Sequence, residues 1–175
     1  MVARFGLALL VVAGCQSVDT GRANEKAAQA NTSIEEGNRL FGEADTATNT
    51  ALAGMDLPPG EARDEALAGA RACAAALDGA VPAFEKASGL LSEASRMRIT
   101  PPFAAYLDLK SQEMKKRAEL GSLQRELCGR LADGRSDALD VLKGGRAATL
   151  SREADELAEK AEEKRIEAGG ELDDP

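Results

Sequence analysis

No histidine and no tryptophan occur in this chain, tyrosine appears once, and aromatics make up only 3% of its 175 residues. The missing histidine excludes Ser–His and Cys–His nucleophilic pairs, the Glu-x-x-His pattern of di-iron bundles, histidine zinc sites and c-type haem attachment. Neither a phosphate-binding loop nor a glycine-rich dinucleotide fingerprint is present. Positive charge is scarce as well. There are 22 Lys and Arg against 30 Asp and Glu, a formal net charge of −8. That balance disfavours nucleic acid and anionic lipid surfaces as partners, because both are bound through basic patches. With so few aromatics, the 43% hydrophobic share leans on alanine. Alanine buries little area per residue, but it is the best helix former and lets helix backbones approach. The composition therefore favours closely packed helices over a thick core, and no enzyme activity and no cofactor are expected.

Long hydrophobic runs are also missing. The apolar stretch Phe5–Val12 follows Arg4 and gives way to small residues and Cys15. It falls well short of the about 20 apolar residues that span a bilayer. Its charged start, apolar middle and small-residue end have the layout of a secretory signal. Val12-Ala13-Gly14-Cys15 resembles the lipobox of bacterial prolipoproteins. The resemblance ends at Cys15 and implies three things: cleavage of residues 1–14, a diacylglycerol on the Cys15 thiol, and a fatty acyl chain such as palmitate on the new amino group. Two or three acyl chains hold a protein stably at a membrane where one does not. Gln16 stands where Gram-negative lipoproteins kept in the inner membrane commonly carry Asp. By the same resemblance the destination is the periplasmic face of the outer membrane, with the inner membrane or cell surface as alternatives.

After a short tether over residues 15–21, the spacing becomes regular. Ala23, Ala27, Ala30, Ile34, Gly37, Phe41, Ala44, Thr48, Ala51 and Met55 alternate steps of four and three, a heptad seam that predicts a helix over about 22–55. Asp56-Leu57-Pro58-Pro59-Gly60 stops it. Leu67, Ala70, Ala74, Leu77, Val81, Phe84, Ser88 and Leu91 repeat the rhythm beside a column of Ala66, Cys73, Ala80, Ala87 and Ala94. The phase survives Pro82, so one long kinked helix over 61–98 is expected rather than two short ones. Thr100-Pro101 restarts the chain with a capping residue and a first-turn proline, predicting a third helix over 101–132. Ala147, Ala154, Ala161 and Ala168 recur every seven residues and predict a fourth over 135–168, weakened early by Gly144-Gly145. Residues 169–175 form an acidic tail. Similar lengths and short connections favour an all-α fold, an elongated antiparallel up-down four-helix bundle. Two helical hairpins with coiled-coil-like seams, completed by dimerisation, are the alternative.

With Cys15 lipidated, Cys73 and Cys128 remain, an even number suited to an oxidising compartment. Halfway between them lies the Thr100-Pro101 turn. A hairpin folded there faces the two cysteines and also pairs Ala74 with Leu127, Ala70 with Leu131, Val81 with Leu120 and Ala94 with Leu107. A disulfide between helices two and three is expected, the alternative being two reduced core residues. No Cys-x-x-Cys suggests a redox-active pair.

The acidic positions Glu35-Glu36, Asp173-Asp174 and Glu153 to Glu163 read as a solvated face rather than a metal or catalytic site, with Glu156 four residues before Lys160. Lys110, Lys115, Lys116 and Arg117 form the one basic concentration, interrupted by Glu113 and Glu119. Phe41, Phe84, Phe103 and Tyr106 are core residues by position. These readings favour a membrane-anchored periplasmic lipoprotein, a structural or interaction module for an envelope protein or a second copy of itself. The alternative is a lipid or small-molecule carrier with a cavity near Phe41 and Phe84.

Overall fold

The computed structural model describes residues 17–169, with side chains from Asp19 onward. Four α-helices run α1 Ser17–Gly54, α2 Glu61–Ser95, α3 Pro101–Ala132 and α4 Arg146–Ala168, and a 3₁₀ turn covers Ala138–Leu142. No strand occurs among the described residues. The fold is the expected all-helical bundle. Each helix lies along the next in sequence, α1 also touches α3, and α1 and α4 meet at most marginally.

Cross-helix partners define the antiparallel register. Asp19 meets Arg98 at 3.3 Å, Lys26 meets Glu93 at 2.6 Å, and Gly37 and Gly54 face Phe84 and Ala66. All four pairs mirror about the Pro58–Glu61 turn, so α1 and α2 stay in step along their whole length. The α2–α3 hairpin mirrors about Thr100–Pro101 in the same way: Asp78 meets Arg125 at 3.1 Å, and Ser88 and Ser111 each donate a hydroxyl to the other's carbonyl, at 2.9 and 2.8 Å. Lys116 and Glu153, 2.9 Å apart, place α4 antiparallel to α3.

Alanine lets these helices close up. Ala23, Ala30, Ala44 and Ala51 of α1 are fully buried, as are Ala70, Ala80, Ala87 and Ala94 of α2. Glycine takes over where even a methyl is too large. A Cβ on Gly37 would lie 2.7 Å from Phe84, and one on Gly79 2.7 Å from Leu40. The seam is therefore knobs of Phe84 and Leu40 set in glycine hollows, between alanine layers. Phe41 meets Phe84 edge-on, centroids 6.2 Å apart, a favourable arrangement for ring quadrupoles.

Pro82 sits inside a continuous α2, as expected. Both Pro82 and Asp78, whose carbonyl loses its helical donor, are exposed, so water is at hand for that carbonyl. Three boundaries differ from expectation. Helix α1 is already formed at Ser17, the first described residue, ahead of the expected 22. Helix α2 ends at Ser95 rather than 98. Helix α4 begins at Arg146 rather than 135, because Gly144 and Gly145 take φ of 86° and 70°, left-handed values that break a right-handed helix. The chain ahead of them forms the 3₁₀ turn, whose Ala138 is 2% exposed and packs with Ala51, Ala70, Leu127 and Leu131 as a plug on that end of the bundle. The lipobox and most of the acidic tail lie outside the described residues.

Candidate functional site

Cys73 of α2 and Cys128 of α3 are fully buried, with sulfurs 2.00 Å apart and Cα atoms 6.0 Å apart. The hairpin register brings them together, and α1 covers them. Thr48 Oγ1 lies 3.1 Å from Cys73 Sγ and 3.5 Å from Cys128 Sγ while donating to the Ala44 carbonyl. Gln124 Nε2 reaches Thr48 Oγ1 at 3.2 Å and Asp45 Oδ1 at 2.8 Å. The sulfurs, a threonine hydroxyl and a side-chain amide thus pin three helices at one level. Thr48 is a seam position in the sequence, but its contact with the sulfurs depends on how far α1 wraps toward α3, which spacing along one helix does not encode.

A second cluster lies on α3. Glu113 is only 2% exposed, and its carboxylate takes Lys110 Nζ at 2.6 Å and Arg117 Nε at 2.8 Å. Lys116 pairs with Glu153 of α4. The basic concentration is therefore largely spent inside the molecule, and Glu113, which in sequence merely interrupts it, is its centre. A buried carboxylate is tolerable when two cations hydrogen-bond to it. The acidic face of α4 carries surface pairs, Arg152–Glu156 at 3.7 Å and Arg165–Glu162 at 2.7 Å. Glu156 thus pairs with the cation four residues before it rather than with Lys160. Among the described residues no three His, Cys, Asp or Glu side chains are grouped to hold a metal.

Half-buried Tyr106 stacks on Phe103, ring centroids 6.5 Å apart. Burial pushes its hydroxyl above the ordinary value of 10.0; Arg165 opposes this, and Glu162 and Glu113 add to it. As the chain's one tyrosine, it gives a clean ultraviolet titration. The folded chain is expected to ionise at higher pH than the urea-unfolded chain. Because the folded-state pKa is the higher, this tyrosine's contribution to stability is full below the unfolded pKa and falls away as pH rises beyond it.

A third feature is a cleft of about 210 Å³ between α1 and α3, floored by Phe84 of α2. Asn38, Phe41, Gly42 and Asp45 line one side, Arg117 and Leu120 the other. It exists because α4 does not close onto α1. At the end of the bundle reached by the C-terminus of α1, Leu52 and Leu139 line a second groove of about 230 Å³ and are 40% and 53% exposed. Leu57 and Leu142 are exposed at the same end.

Cys15 lies outside the described residues, whereas Cys73 and Cys128 meet as expected. No described helix is long and apolar enough to cross a membrane. The architecture is an antiparallel helical bundle with a cysteine pair at disulfide distance between its two central helices. No protein family, curated protein or solved structure matches this chain.

Proposed function

We propose that this protein is a bacterial lipoprotein of the outer membrane, held at the periplasmic face by acyl chains on Cys15. Its helical bundle is a structural or interaction module of the cell envelope. The observation that carries the reading is Val12-Ala13-Gly14-Cys15 at the end of a short apolar run. Helix α1, already formed at Ser17, two residues after Cys15, supports it. With so little chain between anchor and helix, the bundle projects directly from the membrane as a rod. The 38 residues of α1 are about 57 Å long at 1.5 Å per residue. The anchor enters at one end, and Leu52, Leu57, Leu139 and Leu142 offer apolar surface for an envelope partner at the other. The Cys73–Cys128 pair is oxidised in that compartment.

The test is the native product of the full chain expressed in a Gram-negative host. It is expected to begin at Cys15, carry fatty-acid label and partition into detergent. Cys15→Ser should abolish label and partitioning together and leave the signal uncleaved. A wild-type product that retains Met1 without lipid mass overturns the reading, and outer-membrane fractionation checks the destination.

The cleft beside Phe41 and Phe84 favours a second reading, a small-molecule carrier. Its about 210 Å³ is below the about 300–1,000 Å³ of pockets for drug-sized ligands, so the ligand would be a small solute rather than a whole lipid.

A further inference from the structure

We infer that α4 is a detachable strap: it leaves the bundle as a unit, hinged at Gly144–Gly145, while α1, α2 and α3 stay folded. This holds whether or not Cys15 carries lipid. The hinge is the first observation. Gly144 and Gly145 have φ of 86° and 70°, both are exposed, and a Cβ on either would meet nothing within 4 Å. The backbone is free to turn there, because glycine takes left- and right-handed conformations at similar cost and no neighbour packs on it. The chain just ahead is fixed instead: Ala138 is 2% exposed and packs with Ala51, Ala70, Leu127 and Leu131. The boundary between fixed and free chain therefore falls at the two glycines.

How little α4 buries is the second. It packs along α3, and its contacts with α1 and α2 are marginal at most. Leu150, Ala154, Ala161 and Ala168 are its buried residues, one large side chain and three methyl groups, and of these Ala168 alone joins the main apolar core. Helix α2, by contrast, buries Leu77, Phe84 and Leu91 among its alanines. The Lys116–Glu153 pair that ties α4 to α3 is 31% and 40% exposed, so salt screens it. The pairs Arg152–Glu156, Arg165–Glu162 and Lys164–Glu167 lie within α4 and do nothing to hold it down. On the other side of the hinge, the Cys73–Cys128 pair and the alanine seams bind α1, α2 and α3 to one another. Stability is uneven in such a molecule, and an element with few buried apolar contacts opens first. Opening bares the α3 face that carries Tyr106 and Lys116. Away from α3, the helix also loses the tertiary packing that supplies most helical stability, so its amides exchange with solvent.

Hydrogen–deuterium exchange of the purified protein, read peptide by peptide, tests this. Peptides of α4 are expected to exchange about hundredfold or more faster than α2 peptides around Cys73. Two variants separate opening of the strap from unfolding of the whole chain. Leu150→Ala removes the one large side chain that α4 buries and should speed α4 exchange a further tenfold or so while α2 exchange stays as it was. The α2 peptides report in the same measurement that this variant is folded. Phe84→Ala, in the core of α2, should do the reverse, speeding α2 and leaving α4 unchanged. Equal protection of α4 and α2 overturns the proposal. So does a Leu150→Ala protein in which both accelerate by the same factor, because α4 then leaves only when the whole bundle unfolds.

Discussion

Replacing Cys73 and Cys128 together by alanine is expected to lower the unfolding free energy of the oxidised chain by about 4 kcal/mol. The two residues are 55 apart in sequence, and a covalent link there denies the unfolded chain a loop closure of that entropy. For a domain of this size the loss corresponds to roughly 8–16 °C in melting temperature. Thr48 and Gln124 add a local term, since both lie in the hydrogen-bonded layer around the sulfurs. Urea unfolding of wild type and double variant, each with and without reductant, checks the result. Reductant should shift the wild type toward the variant and leave the variant where it is. A wild-type midpoint insensitive to reductant would mean that the sulfurs, although adjacent, are not joined. Unfolding should remain cooperative in both proteins, because the alanine seams on either side of the pair are untouched.

The second large effect belongs to Phe84 and its hollow. Phe84 is 1% exposed and fills the space that Gly37 leaves on α1. Phe84→Ala is expected to cost about 3–5 kcal/mol, the transfer energy of the ring plus a cavity that rigid alanine neighbours cannot collapse to fill. Gly37→Ala works in the opposite sense, by crowding. Its methyl would lie 2.7 Å from the ring, and overpacking of this kind costs about 1–3 kcal/mol, offset by up to about 1 kcal/mol of helix propensity. The two changes touch one space, so they should not add. With the ring gone, the new methyl enters a void, and the double variant should be more stable than the sum of the singles predicts by about 1 kcal/mol or more. Denaturant melts of the four proteins measure the coupling. Strict additivity would show that Gly37 and Phe84 do not share a site in solution.

Much of this architecture is legible along the chain because its signals are local and repetitive. Alanine at heptad spacing marks α1, α2 and the later part of α4. Pro58-Pro59-Gly60 and Thr100-Pro101 mark the turns, and a hairpin folded at the second turn brings Cys73 and Cys128 together. Continuity through Pro82 also follows from phase, since the seam on either side keeps one face buried while the proline falls on the other. A periodic pattern averages over many residues, so one awkward residue does not erase it.

What the pattern leaves undetermined is whatever depends on a neighbouring helix. Gly144 and Gly145 read as a weak start to a helix; their left-handed backbone, and the plug made by Ala138, follow from closing the end of a bundle that the local sequence does not contain. Glu113 reads as a break in a basic patch, yet α3 turns it inward, where it needs both Lys110 and Arg117. Gly37 reads as a small seam residue, but the Phe84 ring facing it makes any larger side chain a clash. The order and direction of the helices were written in spacing and turn chemistry, which act within a few residues. Which surfaces became hollow, cleft or buried charge was set by packing, because those energies arise between atoms far apart in the chain.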